Sequence, residues 1–111
     1  MRIPRFARLA ALAAAALAVA SQAQAADVKA GRQKALQCQT CHGLDGLSKI
    51  PEAPHLAGQV EDYLVKALKD YKSGARKNEM MSVVAPNLSD GDMADLAAYY
   101  SAIQIEVVKR P

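Results

Sequence analysis

Tryptophan is absent from the 111 residues, phenylalanine occurs once, and aromatic residues make up only 5% of the chain. A core assembled from large rings is therefore excluded. The length suits one small domain, and a domain of that size buries a modest share of its surface and usually needs a staple. No segment repeats, and no apolar alternation is long enough for a convincing strand. The class expected is all-α. A surplus of positive charge is missing as well, except at the start. Arg2, Arg5 and Arg8 belong to the 14 basic residues, and without those three the basic residues equal the 11 acidic ones. Non-specific nucleic-acid binding rests on such a surplus, so it is not expected.

The three arginines precede a run from Leu9 to Ala20, mostly Ala and Leu, followed by Ser21-Gln22-Ala23-Gln24-Ala25. A basic start, a short apolar stretch and an A-x-A site form the grammar of a secretory signal peptide. A membrane span requires roughly 20 apolar residues, and this run is shorter. No cysteine closely follows it, which argues against a lipid anchor. The expected division is a cleaved signal at residues 1–25 and an exported domain at residues 26–111, with no stable membrane insertion after cleavage.

Within that domain Asp27 is placed to cap a helix over Lys29 to Cys38, with Val28, Ala35 and Leu36 apolar and Gly31 as a small residue. Gly costs about 1 kcal/mol against Ala in a helix interior and is tolerated most easily where another helix crosses closely. Gly43-Leu44-Asp45-Gly46-Leu47-Ser48, Pro51 and Pro54 mark a loop. From Gln59 the residues Val60, Tyr63, Leu64, Ala67, Leu68 and Tyr71 recur at helical spacing, and Gly74 suits a helix end. Arg76 to Asn87 lacks periodicity and reads as a second loop. Ser89 and Asp92 then suit the start of a helix that sets Met93, Leu96, Ala97 and Tyr100 on one stripe, with Tyr99 beside it. The tail from Ile105 shows no pattern.

Cys38-Gln39-Thr40-Cys41-His42 is the C-x-x-C-H signature of covalent haem attachment. Two thiols one helical turn apart can each add to a porphyrin vinyl group, while the adjacent imidazole is carried under the iron. A porphyrin would also supply the large flat apolar body that the side chains lack. The competing readings are weaker. Thiol exchange calls for a βαβ setting. A zinc site needs further ligands, and only His55 remains. A structural disulfide suits an exported chain but leaves the adjoining His42 unexplained.

With His42 on one side of the iron, the opposite ligand decides between electron transfer and reactivity. Methionine there gives the low-spin arrangement of cytochromes c and raises the potential. Met80 and Met81 both lie in the second loop; either can also be flexible filler, and spacing alone does not choose between them. His55 is a rival ligand, since imidazole suits iron, or else a loop residue with a hydrogen-bonding role. A ligating His usually donates its other N–H to an outer acceptor, and a carbonyl near Pro54 is placed for that; loop rigidity is the alternative for Pro54. Lys66, Lys69, Lys72, Arg76 and Lys77 form either a steering face for an acidic partner or a solvated helix face.

The cluster Cys38-Gln-Thr-Cys-His42, the run Pro54-His-Leu-Ala-Gly58, the Met80-Met81 loop and the stretch from Leu88 to Tyr100 together resemble a class I cytochrome c. More narrowly, they are similar to the small periplasmic bacterial monohaem type that matches one half of the dihaem carriers. The resemblance runs from about Val28 to Ile103. It implies three main helices around one haem c, thioethers at Cys38 and Cys41, and His42 as proximal ligand with its ring held by the Pro54 carbonyl. It also implies Met81 as the distal ligand, with Met80 the alternative, and Gly31 meeting the Leu96 and Tyr99 region. The function it implies is periplasmic electron transfer without enzymatic activity. A bc-type complex, a terminal oxidase or a periplasmic dehydrogenase would be the redox partner. The alternatives are a haem subunit of a dehydrogenase or oxidase complex, and a haem enzyme or gas sensor with an open sixth site.

Overall fold

The structure, a computed structural model, describes residues 25–111. The expected signal peptide, apart from Ala25, lies outside the described residues. Helices and loops make up the fold, and no strand occurs among the described residues.

Helix α1 (Val28–Lys34) begins where Asp27 Oδ1 accepts from the amides of Lys29 and Ala30 at 2.8 and 3.1 Å. These bonds satisfy two of the amides that every helix start leaves open. The single helix expected to reach Cys38 instead tightens into a 3₁₀ turn at Ala35–Gln37, and α2 (Gln39–His42) follows after Cys38. Such tightening is common at helix ends. Here it seats Ala35 fully buried while Cys38 stays half-buried at the site. Gly43, at φ +71°, then turns the chain out of the helix.

Helix α3 (Glu61–Ser73) carries Glu61 and Asp62 in its first turn and Lys72 in its last, complementing the helix dipole. Gly74 ends it in the left-handed region at φ +84°. The buried stripe sits slightly off the expected one. Leu64 is buried and Val65 and Leu68 pack beside it, whereas Val60 and Tyr63 are exposed.

Where a plain loop was expected, α4 (Met81–Val84) and a 3₁₀ turn at Ala85–Asn87 appear. Asn78 organises them. Its Oδ1 accepts from the amides of Met80 and Met81, both at 3.0 Å, while its own amide donates to Ser82 Oγ at 2.9 Å. Helix α5 (Asp90–Ala102) starts in a reciprocal cap: Asp92 N donates to Ser89 Oγ and Ser89 N to Asp92 Oδ2, both at 3.0 Å. Its stripe of Met93, Leu96, Ala97 and Tyr100 is buried as expected.

Helix α5 is the spine of the fold, packing against both α1 and α3. At Gly31 a Cβ would lie 1.9 Å from the Asp95 carbonyl oxygen and 2.8 Å from Tyr99 Cβ, so only glycine lets α1 and α5 approach this closely. Asp27 N donates to Asp95 Oδ1 at 2.7 Å, and Lys34 pairs with Asp92 at 3.0 Å. Among the described residues no helix is long and apolar enough to cross a membrane.

Candidate haem site

Cys38 and Cys41 stand one turn apart, each a half-buried thiol without a disulfide. Burial, helped by the neighbouring Cys41, pushes the Cys38 thiol up to about 11. An exchange cysteine needs the opposite shift. The shift therefore argues against Cys38 as a thiol-exchange cysteine. Among the described residues no group of three metal-binding side chains comes together, so the zinc reading gains no further ligands.

His42 is buried at 8% exposure, and its Nδ1 lies 2.9 Å from the Pro54 carbonyl oxygen. A carbonyl can only accept, so Nδ1 carries the proton and donates. That leaves the lone pair on Nε2, the nitrogen on the far side of the ring, for a metal. Two thiols at one-turn spacing beside an imidazole with a fixed tautomer fit a covalently held haem.

The loop after His42 is tied down at several points. Lys49 N donates to the Cys41 carbonyl at 2.8 Å, and Leu56 N and Ala57 N share the Gly46 carbonyl at 2.8 and 3.0 Å. From the other side of the core, Tyr100 OH donates to the Gly43 carbonyl at 3.1 Å and Tyr99 OH to the Leu44 carbonyl at 2.5 Å. Burial raises the Tyr100 phenol well above its ordinary range, so it remains a donor at any ordinary pH. These two tyrosines were legible only as part of a helical stripe; their hydroxyls supporting the haem-attachment turn had no signal in the spacing.

Cys38, Cys41, His42 and Pro54 are thus brought together by α2 and the loop that follows it. Met80 and Met81 sit on the separate segment at the start of α4, where Met80 is 61% exposed and Met81 half-buried. His55 takes the hydrogen-bonding alternative: its Nδ1 accepts from Ser48 N at 2.7 Å. Much of the basic stretch is occupied within the molecule. Lys66 pairs with Asp70, Lys72 donates to the Leu88 carbonyl, and Arg76 lies 4.8 Å over the Tyr71 ring. That pattern matches a helix face more than a steering surface.

Residues 25–103 match the cytochrome c family. The chain is 47% identical over 81 residues to cytochrome c4 of Pseudomonas aeruginosa, covering 73% of this chain and 40% of that protein. It is 44% identical to cytochrome c-554(548) of Halomonas halodenitrificans, covering 68% of this chain and 95% of the relative. A relative described as a thiosulfate dehydrogenase electron acceptor, from Stutzerimonas stutzeri, is 41% identical, covering 62% of this chain and 32% of its own length. The solved structure of reduced recombinant cytochrome c4 from Pseudomonas stutzeri superposes with a TM-score of 0.67 at 43% identity, covering 72% of this chain and 47% of that one. The chain spans about two-fifths of the cytochrome c4 sequence it matches.

Proposed function

Because the chain belongs to the cytochrome c family, we propose that it is a periplasmic carrier of single electrons, holding one haem c between His42 and Met81. The observation that carries this reading is the His42 ring, fixed at Nδ1 by the Pro54 carbonyl at 2.9 Å and placed beside the two thiols of Cys38 and Cys41. The haem iron, when bound, supplies a one-electron couple between ferrous and ferric states. The residues of the chain do the rest. Cys38 and Cys41 anchor the group, His42 presents Nε2, and Pro54 keeps the imidazole proton on Nδ1. The resemblance to class I cytochromes c, whose distal Met stands eight residues before the Ser that starts the last helix, makes Met81 the preferred distal ligand, and Met81 is the better covered of the two methionines. Residues 1–25 act as the cleaved signal and residues 26–111 as the exported domain, and redox proteins are the partners.

A second reading, a haem subunit serving a dehydrogenase, is favoured by the likeness to the electron acceptor of thiosulfate dehydrogenase. Co-purification with a large dehydrogenase would select it over a free carrier.

The test is a redox titration of purified holoprotein with the visible spectrum recorded throughout. The long-wavelength ferric band of thioether–iron ligation is expected in the wild type, lost in Met81→Ala and kept in Met80→Ala. The reverse pattern overturns the ligand choice. Carbon monoxide binding to untreated ferrous protein overturns the carrier reading, because a filled sixth position excludes it.

A further inference from the structure

We infer that His55 is a positioning residue for the proximal ligand, fixing through its bond to Ser48 the Pro54 carbonyl that orients His42. This deepens the reading above and rests on it, since it requires haem at His42.

Pro54 has no N–H, so it cannot tie itself to the fold through its own amide. The direction of its carbonyl is set by the peptide plane it shares with His55. Upstream, the nearest backbone bond is Ala53 N to the Ile50 carbonyl, long at 3.3 Å. Downstream, the first is Leu56 N to the Gly46 carbonyl at 2.8 Å. Between them, apart from the His42 bond to the Pro54 carbonyl itself, the side-chain tie is His55 Nδ1, accepting from Ser48 N at 2.7 Å.

Ser48 is a firm point to hold. Its neighbour Lys49 donates its amide to the Cys41 carbonyl at 2.8 Å, and the Ser48 hydroxyl donates to the Ile50 carbonyl. The bonds form a closed circuit from Cys41 through Lys49 and Ser48 to His55, then through Pro54 to His42 Nδ1. Both ends of the circuit lie in the haem-attachment turn. His55 is the member that crosses from one leg of the loop to the other.

The consequence is electronic. An acceptor held firmly against the N–H of a ligating imidazole makes the ring a stronger donor to the metal, and outer hydrogen bonding of this kind tunes a haem potential. A stronger donor favours ferric iron. Loosening the Pro54 carbonyl therefore raises the potential. His55 itself is exposed and outside the buried core, so replacing it leaves no cavity.

The experiment compares midpoint potentials of wild-type, His55→Leu and His55→Asn holoproteins. Leucine removes the acceptor, while the Asn Oδ1 stands close to where Nδ1 was. The expected result is a positive shift in His55→Leu and a return toward the wild-type value in His55→Asn, with covalent haem content and the long-wavelength ferric band retained in all three. An unmoved potential in His55→Leu, or equal shifts in both variants, overturns the inference even if thermal stability falls. Wild-type protein without covalent haem would instead defeat the haem reading itself, a distinct outcome seen before any variant is made.

Discussion

Tyr100 is 2% exposed, and its hydroxyl reaches across the core to the Gly43 carbonyl directly after His42. In Tyr100→Phe that buried carbonyl loses its donor, at a cost of about 1–2 kcal/mol. A melting point lower by roughly 4–8 °C per kcal/mol is expected for a domain this small, measured by thermal unfolding of the holoprotein. An unchanged melting point would show that the bond contributes nothing net. At this scale the legible residues were those whose chemistry is written in fixed local spacing: Cys38, Cys41 and His42. Pro54 was reachable because a ligating imidazole always needs an outer acceptor. Tyr99, Tyr100 and the Ser48–His55 bond were not, because hydrogen bonds across 55, 57 and 7 residues leave no trace in local periodicity.

Among the elements, the start and the buried stripe of α5 were readable because a cap at Ser89 and helically spaced apolar residues from Met93 to Tyr100 agree. Helix α4 was not, since four residues are too few for a period to show. Its one available signal was Asn78, a residue type that favours caps. The cap of α5 also makes a pH prediction. The Ser89 amide, and after it the Lys34 ammonium, hold the Asp92 carboxyl below its ordinary value of 3.8. A carboxyl depressed on folding contributes stability that is present above its unfolded value and fades as pH falls through the folded one. Asp92→Asn should therefore cost about 1 kcal/mol near neutrality, chiefly through the cap, with little from the partly exposed Lys34 pair. The difference from wild type should close as the pH drops below 3.8, in denaturant unfolding at a series of pH values. A gap that stays constant down the series would remove Asp92 ionisation from the account.

For the molecule as a whole, the buried hydrophobic residues among those described include four alanines, and Met93 is the one large side chain below 2% exposure. A core so thin supplies no more than about 3–5 kcal/mol. The scarcity of aromatic residues already pointed to this dependence on a staple, though not to which side chains would bear the load. Cys38→Ala/Cys41→Ala, which forfeits the thioethers, is expected to lose at least about 3 kcal/mol and to unfold without a sharp transition by circular dichroism. A cooperative transition at the wild-type temperature would show that the side chains suffice alone.

The seat of Gly31 under Asp95 and Tyr99 also bears on how the protein is made. The Asp27–Asp95 bond that accompanies it joins residues 68 apart in sequence, and contacts of that span form late because a long loop must close first. A chain is made from its N-terminal end, so Cys38 to His42 are synthesised before α5. Until that helix arrives, Tyr99 and Tyr100 are not there to pull the turn inward. The attachment turn consequently exists for an interval without the two hydroxyl bonds from α5, which acts as the clasp that closes over it.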